Sequence, residues 1–132
     1  MIGGYMSFAG AHGSAGYGAT VLADVLPVRL ALTDDRTELP TGAVPVVVGE
    51  HQITSAAPRW DEPFLGYNKV APREGAQTLL AINDDPLLVV GAHGRGRTAA
   101  FTSDCAPHWC PHHTATSPAQ QHTIAKLVDW LG

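Results

Sequence analysis

The first 23 residues contain no charged side chain, although six of them are glycine. Chain termini are normally polar and frayed, so an uncharged, glycine-rich beginning favours burial inside a domain. We expect residues 1–4 to be the end of a buried strand, followed by a glycine-rich loop through Gly18. On this expectation, the sequence begins in the middle of a fold and is truncated at its N-terminus.

The composition is that of a single soluble domain. The 132 residues are 45% apolar and 15% charged, which is enough for a buried core. A net charge of −4 without any Lys/Arg cluster argues against binding to nucleic acid or anionic membranes. No apolar run approaches the ~20 residues of a membrane span, and Met1-Ile2-Gly3-Gly4 shows neither the basic n-region nor the long apolar h-region of a signal peptide. We therefore expect a cytoplasmic protein without a disulfide scaffold, since it has only two cysteines.

The second half of the chain predicts three antiparallel strands and a helix. Alternating apolar runs at 78–82, 87–91 and 97–103 are separated by turn signals, which is typical of a meander. The terminal helix has Ser117 as N-cap, Pro118 at its first position and Gln120 in a capping-box pattern. Its apolar residues at helical spacing are Ile124, Leu127, Val128 and Leu131.

The first half has weaker signals. We predict a helical turn over residues 21–26 capped by Thr20, and a strand over 28–32. Prolines at 40, 45, 58, 63 and 72 indicate loops from residue 34 onward. The run 44–48 is the one strand predicted there, and Pro45 favours an edge position.

Chemically active side chains concentrate in residues 103–113, directly after a predicted strand, where loops often carry function. In an acid–base interpretation, Asp104 orients His108 and Cys105 is a nucleophile, as in a hydrolase or transferase. In a metal interpretation, Cys105, His108 and Cys110 join His112 or His113 in a structural zinc site. In a purely structural interpretation, Asp104 caps a turn and Trp109 packs under the loop.

The segment Gly3-Gly4-Tyr5-Met6-Ser7-Phe8 predicts a sharp turn after a strand, similar to a nucleophile elbow. Its apex is Tyr5 or Met6, neither of which is a usual acyl acceptor, and Ser7 lies off the apex. Tyr67 and Asn68 follow Gly66 and are candidates to project polar groups into a cleft. We expect a ligand-binding cleft bordered by Tyr5, Ser7, Tyr67 and Asn68.

Taken in order, several motifs resemble the putative glutamine amidotransferase-like family of bacterial cytoplasmic proteins, in the class I glutamine amidotransferase-like superfamily. They are Ile2-Gly3-Gly4-Tyr5-Met6-Ser7-Phe8, Val25-Leu26-Pro27-Val28, Asp34-Asp35-Arg36 with Pro40, Phe64-Leu65-Gly66-Tyr67-Asn68, Asp85-Pro86-Leu87-Leu88-Val89-Val90-Gly91, Gly94-Arg95-Gly96-Arg97 and Phe101-Thr102-Ser103-Asp104-Cys105-Ala106-Pro107-His108-Trp109. The resemblance implies an α/β fold, a flavodoxin-like sandwich with a mostly parallel sheet. It also implies that residues 1–132 are the C-terminal portion of one such domain.

A working class I amidotransferase carries a cysteine at the elbow, activated by a histidine that an acidic residue orients. Here Tyr5 and Met6 stand at that place, so the resemblance implies a domain without glutaminase activity and of unknown substrate. We expect a small-molecule ligand and no cofactor. An uncovered sheet edge predicts either a homo-oligomer or a missing N-terminal segment that covers it.

Overall fold

A computed structural model describes residues 1–132 as eight strands, three α-helices and two short 3-10 turns. The bounds are β1 Val28–Arg29, β2 Arg36–Ala43, β3 Val46–Val47, β4 Phe64–Asn68, β5 Ala71–Pro72, β6 Gln77–Ile82, β7 Asp85–His93, β8 Gly96–Phe101, α1 Leu22–Val25, α2 His112–Ala115 and α3 Pro118–Leu131. The chain is thus a mixture of helix and sheet. None of the helices is long and apolar enough to span a bilayer.

The largest sheet has the order β3-β6-β7-β8, and all its pairs are antiparallel. Two-residue turns connect the last three strands, with positive φ at Asn83 in the first turn and at Gly94 in the second. Such turns match the twist of antiparallel strands. The predicted meander is therefore confirmed, and so is the edge position of β3.

The proline-rich middle of the chain contains more strand than the sequence indicates. Strand β2 runs through Pro40 and pairs antiparallel with β4, with a shift of register between Glu38 and Ala43. A shift of this kind lets a proline sit in a sheet, because the missing N–H falls where the ladder is already interrupted. The expectation of loops here was wrong for both strands. The strand predicted over 28–32 forms only at Val28–Arg29, against β5.

Strand β7 is covered on both faces, since residues 87–90 are all buried. One face packs into a large core with β4, β6 and α3, whose members include Phe64, Leu79, Phe101 and Leu127. The other face carries Val89, which packs in a smaller core of Phe8, Leu26, Val28, Val70 and Ala100. The glycine-rich N-terminal loop therefore covers the face of the sheet that α3 leaves free.

Helix α3 begins as predicted. The Ser117 hydroxyl accepts a hydrogen bond from the Gln120 N–H at 3.2 Å, and Pro118 follows the N-cap. The predicted apolar face is only partly correct, because Val128 is 62% exposed. The helix instead buries Ala119, Gln120, Thr123 and Leu127.

The N-terminal segment joins the sheet through a single parallel bridge between Ile2 and Phe101. The Gly3 N–H donates to the Phe101 carbonyl at 2.7 Å. Every other strand pairing in the chain is antiparallel. The resemblance implied a mostly parallel sheet, and residues 1–132 contain only this one parallel contact.

Candidate functional site at the N-terminal turn

The turn after Ile2 depends on two glycines. A Cβ on Gly3 would overlap the Thr102 carbonyl, and Gly4 has a φ of 142°. Both positions exclude larger residues, the first by space and the second by backbone conformation. The turn exposes Tyr5 and Met6 at its apex, with 43% and 57% of their surfaces accessible. No nucleophilic side chain occupies the apex.

Two buried polar side chains, Asp35 and Asn68, hold the turn through hydrogen bonds to its backbone. The Asp35 carboxylate accepts hydrogen bonds of 2.9 Å from the N–H groups of Ala9 and Gly10. The Asn68 carboxamide donates to the same carboxylate at 2.9 Å and accepts from the Gly4 N–H at 2.9 Å. Because a buried carboxylate needs several donors, these bonds make Asp35 the anchor of the loop.

The predicted binding residue Asn68 is therefore engaged with the backbone and fully buried. Sequence reasoning missed Asp35, because an Asp-Asp-Arg run resembles a solvent-exposed loop. The one signal for it was indirect: an uncharged, glycine-rich loop presents many N–H groups that must find acceptors.

Aromatic and charged side chains surround Tyr5 above the turn. The His108 ring meets the Tyr5 ring edge-on, with 4.7 Å between centroids, and Trp109 lies at 6.1 Å. The Arg36 guanidinium stands 4.2 Å from the centre of the Tyr5 ring, within cation–π distance. This group, which we call the Tyr5 cluster, consists of Tyr5, Arg36, His108 and Trp109.

Arg36 is fixed in the Tyr5 cluster by Asp34. Its Nε and Nη2 atoms donate to the two carboxylate oxygens of Asp34 at 2.9 and 2.6 Å. This two-point bond lowers the pKa of Asp34 well below its usual range and raises that of Arg36. The cation beside Tyr5 is therefore both charged and oriented.

Trp109 is the buried base of the Tyr5 cluster. Its indole N–H donates to Glu38 at 3.0 Å, and its carbonyl accepts from the Leu65 N–H at 2.8 Å. A Cβ on Gly66 would overlap the indole ring. The packing of Trp109 under the loop therefore requires glycine at position 66.

Ser7 and Asp104 lie together at the side of the turn. The Ser7 Oγ and an Asp104 carboxylate oxygen are 3.7 and 3.5 Å from the place where a Gly4 Cβ would stand. The other Asp104 oxygen accepts the Ala106 N–H at 2.9 Å, which is a turn cap. Among the predicted site residues, the structure thus brings Tyr5, Ser7, Asp104 and His108 to one turn.

Comparison with known proteins shows which family the chain belongs to. A family model described as putative glutamine amidotransferase matches residues 1–132. The chain belongs to this family.

Two solved structures are similar to this glutamine amidotransferase-like chain over almost its whole length. The cytoplasmic protein STM1381 from Salmonella typhimurium LT2 is 42% identical with a TM-score of 0.94, covering 99% of this chain and 54% of that one. The cytoplasmic protein STM3548 from Salmonella typhimurium is 41% identical with a TM-score of 0.94, covering 99% and 53%. The chain thus spans about half the length of these relatives. No protein with a curated description matches it.

The two cysteines of this glutamine amidotransferase-like chain are not disulfide-bonded. Cys105 is exposed, whereas Cys110 is buried, and desolvation, with smaller effects of Asp104 and Cys105, raises the Cys110 pKa to about 11. No hydrogen bond joins Asp104, Cys105 and His108 to one another. The arrangement lacks the nucleophile–base contact that marks an activated thiol.

Tyr67 lies outside the Tyr5 cluster. Its hydroxyl donates to Asp85 at 2.6 Å, and Lys69 forms an ion pair of 3.2 Å with the same carboxylate. Burial, with a smaller contribution from Asp85, raises the Tyr67 pKa to about 12. Tyr67 thus links β4 to the start of β7.

The metal interpretation finds no support in the geometry. No group of three or more His, Cys, Asp or Glu side chains is arranged to hold a metal ion. Cys110 is directed into the core, and His113 instead lies 3.6 Å from Glu62. The residues expected to ligate zinc therefore do not converge.

Proposed function

We propose that the chain is a small-molecule-binding domain of the glutamine amidotransferase-like family that does not hydrolyse glutamine. The observation that carries this proposal is the occupant of the elbow apex. Tyr5 and Met6 are exposed there, and the Tyr5 ring contacts both Arg36 and His108. Neither side chain is an acyl acceptor of the kind that an elbow presents.

The proposed binding surface is formed by Tyr5, Ser7, Asp104 and His108. It combines an exposed aromatic ring, a hydroxyl, a carboxylate and an imidazole at one turn. Binding sites commonly join apolar contact area with a few convergent polar groups. Asn68, and Asp35 beneath it, would act as positioning residues that keep this surface in shape.

We propose that residues 1–132 belong to a flavodoxin-like domain. Support comes from the parallel pairing of Ile2 with Phe101, which continues the sheet beyond the antiparallel meander. A cytoplasmic location is supported by the two relatives, both of which are named cytoplasmic proteins.

We propose that copies of the chain associate through the exposed edge of the outer strand β3. Val46, Val47 and Val48 are exposed along this edge, and no charged side chain interrupts them. Unpaired, apolar strand edges pair with other chains. Size-exclusion chromatography with light scattering should show a dimer or larger species, and a stable monomer would contradict this expectation.

The absence of glutaminase activity is tested by measuring ammonia release from glutamine. We expect no release above the buffer control from the wild type, Cys105→Ala or Ser7→Ala. Ammonia release that survives Cys105→Ala and disappears in Ser7→Ala would overturn the proposal. Release by the wild type that is lost in Cys105→Ala alone would also overturn the proposal, and it would support an enzyme that uses the Asp104, Cys105 and His108 group.

The binding role is tested by thermal denaturation with panels of amino acids, organic acids and nucleotides. A ligand of the Tyr5 cluster should raise the Tm of the wild type and of Val128→Ala, an exposed control on α3. It should leave the Tm of Tyr5→Ala unchanged, because the ring that it contacts is missing. Equal Tm increases in Tyr5→Ala and wild type would place the ligand elsewhere.

A further inference from the structure

A concave site lies between the 105–110 loop and helix α3, and its lining shares no residue with the Tyr5 cluster. It is a groove of about 340 Å³, within the usual size of small-molecule sites. Its lining contains no charged side chain and consists of Cys105, Cys110, Ala115, Gln120, Gln121, Ile124 and Ala125. We call it the α3 groove.

The α3 groove contains a polar group without a partner in the chain. Gln120 is 5% exposed, and its Oε1 atom has no hydrogen bond. The capping-box pattern predicts that this side chain reaches back to the Ser117 N–H, yet that N–H donates to the Thr114 carbonyl at 3.1 Å. The carboxamide is therefore free of the helix cap and lines the groove instead.

An unpaired buried amide is costly in a fold, because it has given up water without gaining another partner. A ligand that donates a hydrogen bond to this oxygen would remove that cost, so its binding would be favoured. Rotation about the last side-chain bond of glutamine is nearly free, so the oxygen can turn toward the groove. A ligand that presents both an N–H and a carbonyl is the natural complement of a carboxamide.

We propose that the α3 groove binds a neutral, largely apolar small molecule through an amide group paired with Gln120. The apolar body would lie against Ala115, Ile124 and Ala125, and the exposed Cys105 would border the ligand. Neutrality follows from the uncharged lining, since a buried ionic ligand would find no counter-charge there. This site is independent of the function proposed for the Tyr5 cluster.

The test compares benzamide with methyl benzoate, which has a similar shape but no N–H donor. Titrations are followed by the amide resonances of residues 120–125 in two-dimensional NMR. Wild-type protein should bind benzamide about tenfold or more tightly than the ester, because only benzamide satisfies the Gln120 oxygen. Gln120→Leu should bind benzamide and methyl benzoate with about equal affinity. Gln52→Leu, which lies outside the groove, should keep the wild-type preference for benzamide.

A second variant tests the groove without altering Gln120. Ile124→Trp fills the space from a half-buried position and should abolish the binding of both compounds. The proposal is overturned if benzamide does not bind to the wild type, or if its preference over the ester persists in Gln120→Leu. Shifts confined to the Tyr5 cluster would also overturn it, while leaving the glutaminase test unaffected.

Discussion

The Asn68 carboxamide donates a 2.9 Å hydrogen bond to the Asp35 carboxylate, and both side chains are buried beneath the exposed Tyr5 turn. Asp35 directly precedes β2, and Asn68 ends the paired strand β4. Together they fix the backbone that presents the candidate site. The same pair satisfies three N–H groups of the glycine-rich segment, those of Gly4, Ala9 and Gly10. The shape of the site thus depends on groups that no ligand would touch.

Asp35→Asn should destabilise the fold. A carboxamide has one acceptor oxygen where the carboxylate has two, so at least one buried N–H loses its partner. We expect urea denaturation to show a loss of about 1–3 kcal/mol in the free energy of unfolding. Asp84→Asn, in the exposed turn between β6 and β7, is the matched control and should change little; equal effects of both variants would contradict the anchoring role.

Gly66→Ala should displace Trp109. The added methyl group overlaps the indole ring, and overpacking of this kind costs about 1–3 kcal/mol. Urea denaturation followed by tryptophan fluorescence measures both the stability and the change around the ring. Gly96→Ala is the control, because its Cβ would come no closer than 3.5 Å to a neighbouring atom. A Gly66→Ala variant as stable as the wild type would show that Trp109 can move freely.

One thiol per native chain should react with an aromatic disulfide reagent at neutral pH. Cys105 is exposed, whereas Cys110 is buried and its pKa is raised to about 11, so its thiolate is scarce. Cys105→Ser should abolish the native reaction and Cys110→Ser should preserve it. In denaturant, the wild type should show two reactive thiols; two in the native state would disprove the burial of Cys110.

Stability should fall as the pH rises from about 10 to about 12. Tyr67 has a pKa of about 12 in the fold, above the ordinary value of 10.0, so the folded state holds this proton more strongly than the unfolded state. Its contribution is complete below pH 10 and is lost through pH 12. Denaturation at successive pH values measures this slope. In Tyr67→Phe the slope should be smaller, and an unchanged slope would assign it to other groups.

Gln120→Leu should make the protein more stable, by about 1 kcal/mol in urea denaturation. The substitution removes a buried oxygen without a partner and fills the same place with apolar surface. Gln121→Leu, on the exposed neighbour, is the control and should have little effect. Destabilisation by Gln120→Leu would mean that the carboxamide makes favourable bonds in the free protein.

The parts of the fold that the sequence predicts correctly are those determined by residues close together in the chain. Hairpin turns at Asn83 and Gly94 and the Ser117 cap are local, so short patterns specify them. Strand β2 escaped prediction because its partner β4 lies far along the chain and Pro40 resembles a breaker. The buried face of α3 was misjudged because Gln120 and Thr123, both polar, point inward while Val128 points outward.

The candidate site, like the fold, was predicted from the sequence only in part. Tyr5, Ser7, Asp104 and His108 were recognised by residue type, and the structure brings them to one turn. Asp35 and Arg36 were missed, since only the folded chain reveals that one is buried and the other stacks on Tyr5. Tyr67 was assigned to the same cleft, although its hydroxyl is directed to Asp85. Adjacent strand residues point to opposite faces, which separates Tyr67 from Asn68.

The three strands of the meander are consecutive in the chain, whereas the turn at residues 3–10 is tied to residues 35, 68 and 101. Contacts between sequence neighbours form early in folding, and distant ones form late. The turn should therefore dock last and detach first. Its amide hydrogens would exchange with solvent through a partial opening that leaves β6–β8 closed. A ligand bound to the turn would slow the exchange of these amide hydrogens and leave the exchange in β6–β8 unchanged. Hydrogen exchange can therefore detect such a ligand before it has been identified.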